Sequence, residues 1–320
     1  MITLTPKQVK ERFGPLFCRR LSVMNDEKER IAKLHEQCQA RGPIEWDHMN
    51  RKRAGGAILS EKTEGITMIM TTKIGQYPIQ FGPFDTEIGG QALEAILVNG
   101  NEVATSWIGA AGAGIGISAC QAHAPGVIKV EYNSEKDLLI WGEHICRSTI
   151  ILPKYEKITF GIDDTDTKES GATWMLAMRW GESCSIDSID GVIFLGMRII
   201  QLNPKTPEKT TNCTGSVITF AVQPRKKEEL IQFIKKFIEE HATSTDTGIC
   251  YWIGISLPQS PYAKRIKTEL ITKDEATSEE EHLNISFVDS ANSKGRIGAI
   301  GALLWANGGV EVAGLYGEAP

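Results

Sequence analysis

An apolar stretch, Ile158–Ile162, runs straight into Asp163-Asp164-Thr165-Asp166, and a helical stretch started by glycine, Gly171–Gly181, follows it. A strand that ends on clustered carboxylates and then gives way to a helix is the strongest constraint in the chain. The same alternation continues downstream. Gly191–Ile200 and Ser216–Val222 read as strands, and Glu228–Glu240 as an amphipathic helix with Leu230, Phe233, Ile234 and Phe237 on one face. Ile249–Ile255 reads as a strand, Arg296–Ala306 as a helix rich in glycine and alanine, and Val310–Leu315 as a last strand. Lys273–His282 is charged, with no clear face. Alternation of this kind predicts an α/β (α+β) layered domain with a mixed sheet.

Upstream the character differs. Residues 5–41 read as helical: Thr5-Pro6 offers an N-cap with proline at the first helical position, Asn25-Asp26 can start a second helix, and Arg41-Gly42-Pro43 stops it. From about residue 55 to 150, short apolar runs are separated by glycine: Ile66–Met70, Leu93–Val98, Val103–Ile108, Val127–Tyr132 and Leu138–Trp141. They read as strands of a mainly β or α+β region. Pro153-Lys154-Tyr155-Glu156-Lys157 is a polar joint. With 320 residues and roughly 150 per domain, two domains are expected: 1–152, helical and then β-rich, and 153–320.

Lys and Arg number 35 against 40 Asp and Glu, a formal charge of -5, which argues against broad nucleic-acid binding by charge alone. Arg51-Lys52-Arg53 and Arg225-Lys226-Lys227 are candidate basic strips or, more simply, solvated faces. The seven cysteines are irregularly spaced, without a Cys-x-x-Cys pair. No secretory signal is read, and no apolar run reaches the roughly 18 residues that span a membrane. A cytoplasmic protein with free thiols and no membrane partner is the expectation.

Three carboxylates within four residues repel one another unless a cation neutralises them. One reading is a hard divalent ion held by a few oxygens and completed by phosphates, at a strand end where helix N–H groups face an anion. The other is a solvated acidic turn, or a helix start enriched in Asp for dipole reasons.

Three ordered segments bear on the choice. Gly161-Ile162-Asp163-Asp164-Thr165-Asp166-Thr167, with Thr173 beyond it, resembles the signature opening the kinase-like domain of the archaeal isoleucine-tRNA agmatidine synthetases. Leu202-Asn203-Pro204-Lys205-Thr206-Pro207-Glu208-Lys209-Thr210 is similar to that family's Leu-Asn-Pro, Pro and Lys-Thr loop, and Lys294-Gly295-Arg296-Ile297-Gly298-Ala299 to its late Gly-x-Ile-Gly-Ala stretch. The resemblance covers residues 157–320 and implies a Mg2+–ATP site. Asp163, Asp164 and Asp166 would hold the metal. Thr173 stands where the family has a threonine that accepts a phosphate. Asn203, Lys209, Thr210, Gly295, Arg296 and Gly298 would contact the nucleotide, Lys209 as a mobile charge on the phosphates and the glycines by close backbone approach.

The chain also departs from that family. Thr211-Asn212-Cys213-Thr214-Gly215 stands where Arg-Gly-Asn is usual, and Trp174 replaces a second threonine. The synthetases follow this domain with an OB-fold and a zinc ribbon for tRNA. Here the segment comes last and no ribbon cysteines occur, which leaves tRNA doubtful as a partner. The layout as a whole resembles methanogenesis marker protein 11.

Two further features in the first half have open readings. Gly109-Ala110-Ala111-Gly112-Ala113-Gly114-Ile115-Gly116 reads as a phosphate-cradling loop or, more simply, as tight turns and close packing; it lacks the Lys-Ser/Thr of a P-loop. Cys120, His123, His144 and Cys146 are possible zinc ligands or ordinary core residues. The function expected is Mg2+/ATP-dependent phosphoryl transfer by a kinase- or ligase-like modifying enzyme linked to methanogenesis, with the acceptor unread. The alternative is a non-enzymatic, ATP-responsive assembly or regulatory factor with a protein partner.

Overall fold

Two units divide the chain, Met1–Tyr155 and Glu156–Pro320. The computed structural model describes residues 1–51, 53, 55–139, 144–184, 189–288 and 293–319.

In the first unit, β1 (Ile2–Leu4) and α1 (Pro6–Phe13) are followed by a hairpin of β2 (Cys18–Asp26) and β3 (Ile31–Cys38). Next come α2 (Arg41–Arg51), β4 (Ile58–Glu64), β5 (Thr67–Lys73), β6 (Gly75–Gln76) and the short α3 (Asp85–Ile88). β7 (Gly90–Asn99), β8 (Glu102–Ala110), β9 (Lys129–Tyr132) and β10 (Ile145–Pro153) complete it. The strands form a six-stranded sheet, β1-β9-β10-β8-β7-β6, and a four-stranded sheet, β2-β3-β5-β4. Leu34 and Met70 from the smaller sheet share one core with Trp107 and Ile150 from the larger.

The helical reading of residues 5–41 holds only for α1, where Thr5 and Gln8 close a capping box. The rest is the β2–β3 hairpin. Along β3, Ala32, Leu34, Glu36 and Cys38 are buried in alternation. Glu36 occupies a core position, so the period of two is broken in the sequence although it is intact in space. Arg41-Gly42-Pro43 starts α2 rather than stopping a helix, because a first-turn proline loses no helical hydrogen bond.

Glu36 is buried because Arg51 reaches it. Arg51 Nη1 donates to Glu36 Oε2 at 2.6 Å, Arg51 Nε donates to Gln91 Oε1 at 3.0 Å, and Gln121 Nε2 donates to Glu36 Oε2 at 2.6 Å. The guanidinium also lies over the Trp107 ring. Arg51 is therefore a core cation, neither a basic strip nor a solvated face. Arg53 bonds Asn50 and the Gly89 carbonyl, and Lys52 lies outside the described residues. Glu135–Leu138 is a 3-10 turn, and Ile140 and Trp141 of the run expected as a strand lie outside the described residues.

The second unit contains β11 (Glu156–Asp163), α4 (Thr173–Ser183), β12 (Val192–Gln201), β13 (Thr214–Val222), α5 (Lys227–His241) and β14 (Gly248–Ile253). They are followed by α6 (Tyr262–Thr268), α7 (Lys273–Leu283), β15 (Ser286–Phe287) and α8 (Arg296–Leu304). One sheet, ordered β12-β13-β11-β14-β15, carries helices on both faces. Phe160, Ile162, Phe220 and Ile249 pack with α4 and α5 on one face. Val217 and Cys250 pack with α6, α7 and α8 on the other. The layered α/β architecture is as expected, but every strand pair is antiparallel where a mixed sheet was expected.

Residues 310–313 form a 3-10 turn rather than a last strand. The buried Lys267 ammonium donates to the carbonyls of Val312 at 2.8 Å and Gly314 at 3.1 Å, which removes both from any sheet ladder. The charged run 273–283 is a helix, capped by Thr272 and Glu275. Among the described residues, no helix is long and apolar enough to cross a membrane.

Candidate active site

β11 ends where the chemistry begins. Its central position among β13 and β14 anchors Asp163, and the pleat directs Gly161 and Asp163 toward α8. Gly161 is required there, since a Cβ would overlap the Ala299 carbonyl oxygen. That close approach brings the first turn of α8 onto the Asp163 carboxylate. Gly298 leaves the space that the carboxylate fills, because a Cβ on Gly298 would overlap Asp163 Oδ2. Gly298 therefore makes room for an aspartate of the same chain.

Asp164 then turns the backbone out of the strand with φ 51°, a left-handed conformation that aspartate tolerates better than most residues. Its amide donates to Asp163 Oδ1 at 3.0 Å, and its carbonyl accepts from Thr247 Oγ1 at 3.2 Å. Thr173, the first residue of α4, is buried. The Thr165 amide donates to Thr173 Oγ1 at 3.2 Å, and Thr173 Oγ1 donates to Asp166 Oδ1 at 3.2 Å. The hydroxyl thus fixes Asp166 relative to the strand end.

Asp163, Asp164, Asp166 and Thr173 line a cavity of about 560 Å³ within the second unit. A further part of its wall comes from the loop between β12 and β13, including Lys209, Thr210 and Cys213. Leu202, Ile266, Leu270, Ile271 and Ile297 make it partly apolar, which suits an organic ligand with a charged end.

Burial, then the charge of Asp164, holds the Asp163 carboxyl well above its usual range. Asp164 is raised from 3.8 to about 6 by burial and by the charges of Asp166, Asp246 and Glu208, with Lys294 opposing. A carboxyl raised in the folded state favours folding fully below its unfolded value, and that contribution is lost as pH rises through the folded value. The unfolding temperature of the metal-free protein is therefore expected to fall between pH 3.8 and about 6, and to fall less in Asp164→Asn. Asp47, raised by burial to about 6 in the first unit, titrates in the same window, so the difference between the two proteins is what scanning calorimetry must read. Identical pH slopes in wild type and variant would contradict a raised Asp164.

The other expected residues divide. Lys209, Thr210 and Gly298 line the cavity. Lys209 Nζ donates to the Pro204 carbonyl at 2.7 Å. Asn203 is buried outside the lining; its Nδ2 donates to the Glu269 carbonyl at 2.8 Å, and its Oδ1 accepts from the Lys205 amide. Arg296 also lies outside the lining, pairing with Glu280 and stacking on the Phe287 ring. Gly295 packs against Gly248 and the Asp163 carbonyl. Sequence reasoning missed Glu208, Asp246 and Lys294 as charges acting on Asp164. Lys294 stood in a quoted motif, but nothing local marked it out.

Among the described residues, no group of three or more His, Cys, Asp or Glu side chains is arranged to hold a metal ion. The three aspartates are thus not a preformed cage. The donor set still fits magnesium, which takes one or two carboxylates and completes its shell with water and phosphate. Two partly buried, mutually repelling carboxylates that hold their protons tightly are suited to such a cation. Zinc gains no support: His123 Nε2 accepts from the Leu16 amide at 3.0 Å, and Cys146 Sγ accepts from Ser118. Three of the 109–116 glycines serve packing, Gly109 against Gly114, Gly114 against the Cys146 sulfur and Gly116 against Gln91.

Comparison with known proteins places the chain. The uncharacterized protein MJ0921 of Methanocaldococcus jannaschii is 31% identical over 283 residues, covering 88% of this chain and 91% of the relative. This chain belongs to the MJ0921 family. Residues 159–227, which carry the aspartates, Thr173 and Lys209, match the TiaS TCKD domain, so that segment resembles agmatidine synthetase. The crystal structure of a TiaS–tRNA(Ile2)–ATP complex is similar at 24% identity and TM-score 0.41, over 47% of this chain and 36% of that one. A tRNA fluorescent labeling enzyme is similar at 25% identity and TM-score 0.41, over 46% and 36%. This chain thus spans about a third of the length of those solved proteins.

The expectation that tRNA is a doubtful partner is corrected: residues 159–227 match a domain of TiaS, whose complex with tRNA(Ile2) and ATP is solved. A net charge averaged over two units carries no information about a local RNA contact, and absent ribbon cysteines concern a different domain.

Proposed function

We propose that the second unit binds magnesium–ATP in the cavity at the end of β11, and that the chain is an ATP-using, ligase-type tRNA-modifying enzyme. The observation that carries this reading is the set of Asp163, Asp164, Asp166 and Thr173 facing a cavity of about 560 Å³ inside the segment that matches the TiaS TCKD domain. TiaS complexes with tRNA(Ile2) and with an ATP analogue and agmatine support the pairing of nucleotide and RNA. The resemblance to methanogenesis marker protein 11 supports a link to methanogenesis.

Asp163 and Asp164 would hold the metal, which when bound neutralises charge on the phosphate oxygens. The chain's own contribution is positioning. Transfer of a phosphoryl group asks mainly for orientation and charge compensation. β11 and the first turn of α8 fix Asp163, and Thr173 fixes Asp166. The apolar wall holds the less polar end of the nucleotide out of water.

Thr173 enters this reading as a positioning residue. Incubation with magnesium–ATP and archaeal tRNA is expected to show ATP consumption stimulated by tRNA, with either ADP or AMP and pyrophosphate naming the reaction class. Thr173→Val is expected to lower that turnover about tenfold, in the range for loss of an oriented group, while Thr173→Ser retains it. Phosphate found on Thr173 by peptide mass spectrometry would make it an acceptor instead. ATP consumption indifferent to every tRNA supplied would sink the modifying-enzyme reading.

A further inference from the structure

Lys294 and Glu208 stand 86 positions apart and both line the cavity, with Lys294 Nζ 3.3 Å from Glu208 Oε1. Their side chains are 47% and 67% exposed, so the pair adds little to stability and is readily exchanged.

Two other cations near the cavity are placed differently. Lys209 is held on the Pro204 carbonyl, and Arg296, expected at the nucleotide, is held by Glu280 and Phe287 away from the lining. Six carboxylates line the cavity against three lysines, Lys168, Lys209 and Lys294, so an entering polyphosphate meets a wall with an excess of negative charge. Lys294 directly precedes the helix turn that packs on Asp163.

We propose that Lys294 is a phosphate-contacting residue of the nucleotide site and that Glu208 holds it in the free protein, so that the polyphosphate takes Lys294 by displacing Glu208. The proposal rests on the nucleotide reading and names a binding residue and a competing carboxylate within it. A lysine suits the role because its ammonium is a compact charge on a flexible stem, able to move from one oxyanion to another. Glu208 then opposes binding twice, by occupying Lys294 and by repelling the phosphates.

The two partners are therefore expected to have opposite effects. Calorimetric titration with magnesium–ATP should show about tenfold to thirtyfold weaker binding in Lys294→Gln and about threefold to tenfold tighter binding in Glu208→Gln. Lys294→Arg should keep most of the affinity. Inorganic tripolyphosphate with magnesium, which lacks base and sugar, should lose affinity in Lys294→Gln by the same factor as ATP. Circular dichroism melts check that each variant folds. If Glu208→Gln weakens binding as Lys294→Gln does, the pair is a structural bridge and the proposal is overturned. If both variants bind as wild type does, Lys294 does not contact phosphate and the nucleotide reading stands alone. A folded wild type that binds neither ATP nor tripolyphosphate overturns both.

Discussion

Asp164→Asn is expected to weaken magnesium-dependent ATP binding about 100-fold, or ~2.7 kcal/mol, without lowering the unfolding temperature at neutral pH. The two halves of this expectation have one cause. In the metal-free protein Asp164 is an ionised carboxylate that burial and Asp166, Asp246 and Glu208 oppose, so an uncharged amide of the same shape relieves repulsion. In the presence of magnesium that same charge is what the cation binds, and the amide removes it. Gly298→Ala should reach the same functional loss by a steric route, because its Cβ would clash with Asp163 Oδ2. Titration calorimetry of the folded variants gives the answer. Wild-type affinity in Asp164→Asn would remove Asp164 from the metal site, and wild-type affinity in Gly298→Ala would show that Asp163 can bind from elsewhere.

Arg51→Leu is expected to destabilise the first unit by about 3–5 kcal/mol, the range for stripping one partner from a buried ion pair. Glu36 is 1% exposed and, among the described residues, would keep only Gln121 as its side-chain donor. Desolvation of that carboxylate, once balanced by the guanidinium, would then stand against folding. The unfolding temperature should drop by roughly 10 °C for a unit of this size. Removing both charges, in Arg51→Leu with Glu36→Gln, should restore part of the loss, since the Glu36 position then carries no buried charge while Asp47, 3.8 Å from the guanidinium, still loses its partner. A single variant melting within a degree of wild type would show that Glu36 finds water or another donor, and that the pair does not hold the core.

The candidate site was legible where its signal is local. The strand Ile158–Ile162 running into Asp163, Asp164 and Asp166 is a contiguous pattern, and the start of α4 at Thr173 follows a glycine that the turn requires with φ 91°. Amphipathic α5 was equally plain, because Leu230 and Ile234 recur at helical spacing and are both buried. Elsewhere the motif resemblance reached segments that line the cavity, but not every residue it named lies in the lining. Asn203 and Arg296 fall in the resembling segments, yet their side chains serve the C-terminal end of α6 at Glu269 and the face carrying Glu280 and Phe287.

The sequence alone determined the elements whose periodicity is carried by neighbours along the chain, and the place where a strand surrenders to clustered carboxylates. Tertiary structure decided what depends on positions far apart. Glu36 belongs to a strand only because Arg51 meets it in the core, and without that partner a carboxylate at a buried position reads as a surface residue. Gly298 matters because Asp163 lies against it, and Lys294 faces the aspartates because α8 packs closely enough on Gly161 to carry its N-terminus there. Periodicity is a property of the local backbone, whereas burial, charge pairing and steric room are set by whatever the rest of the chain brings to the same point.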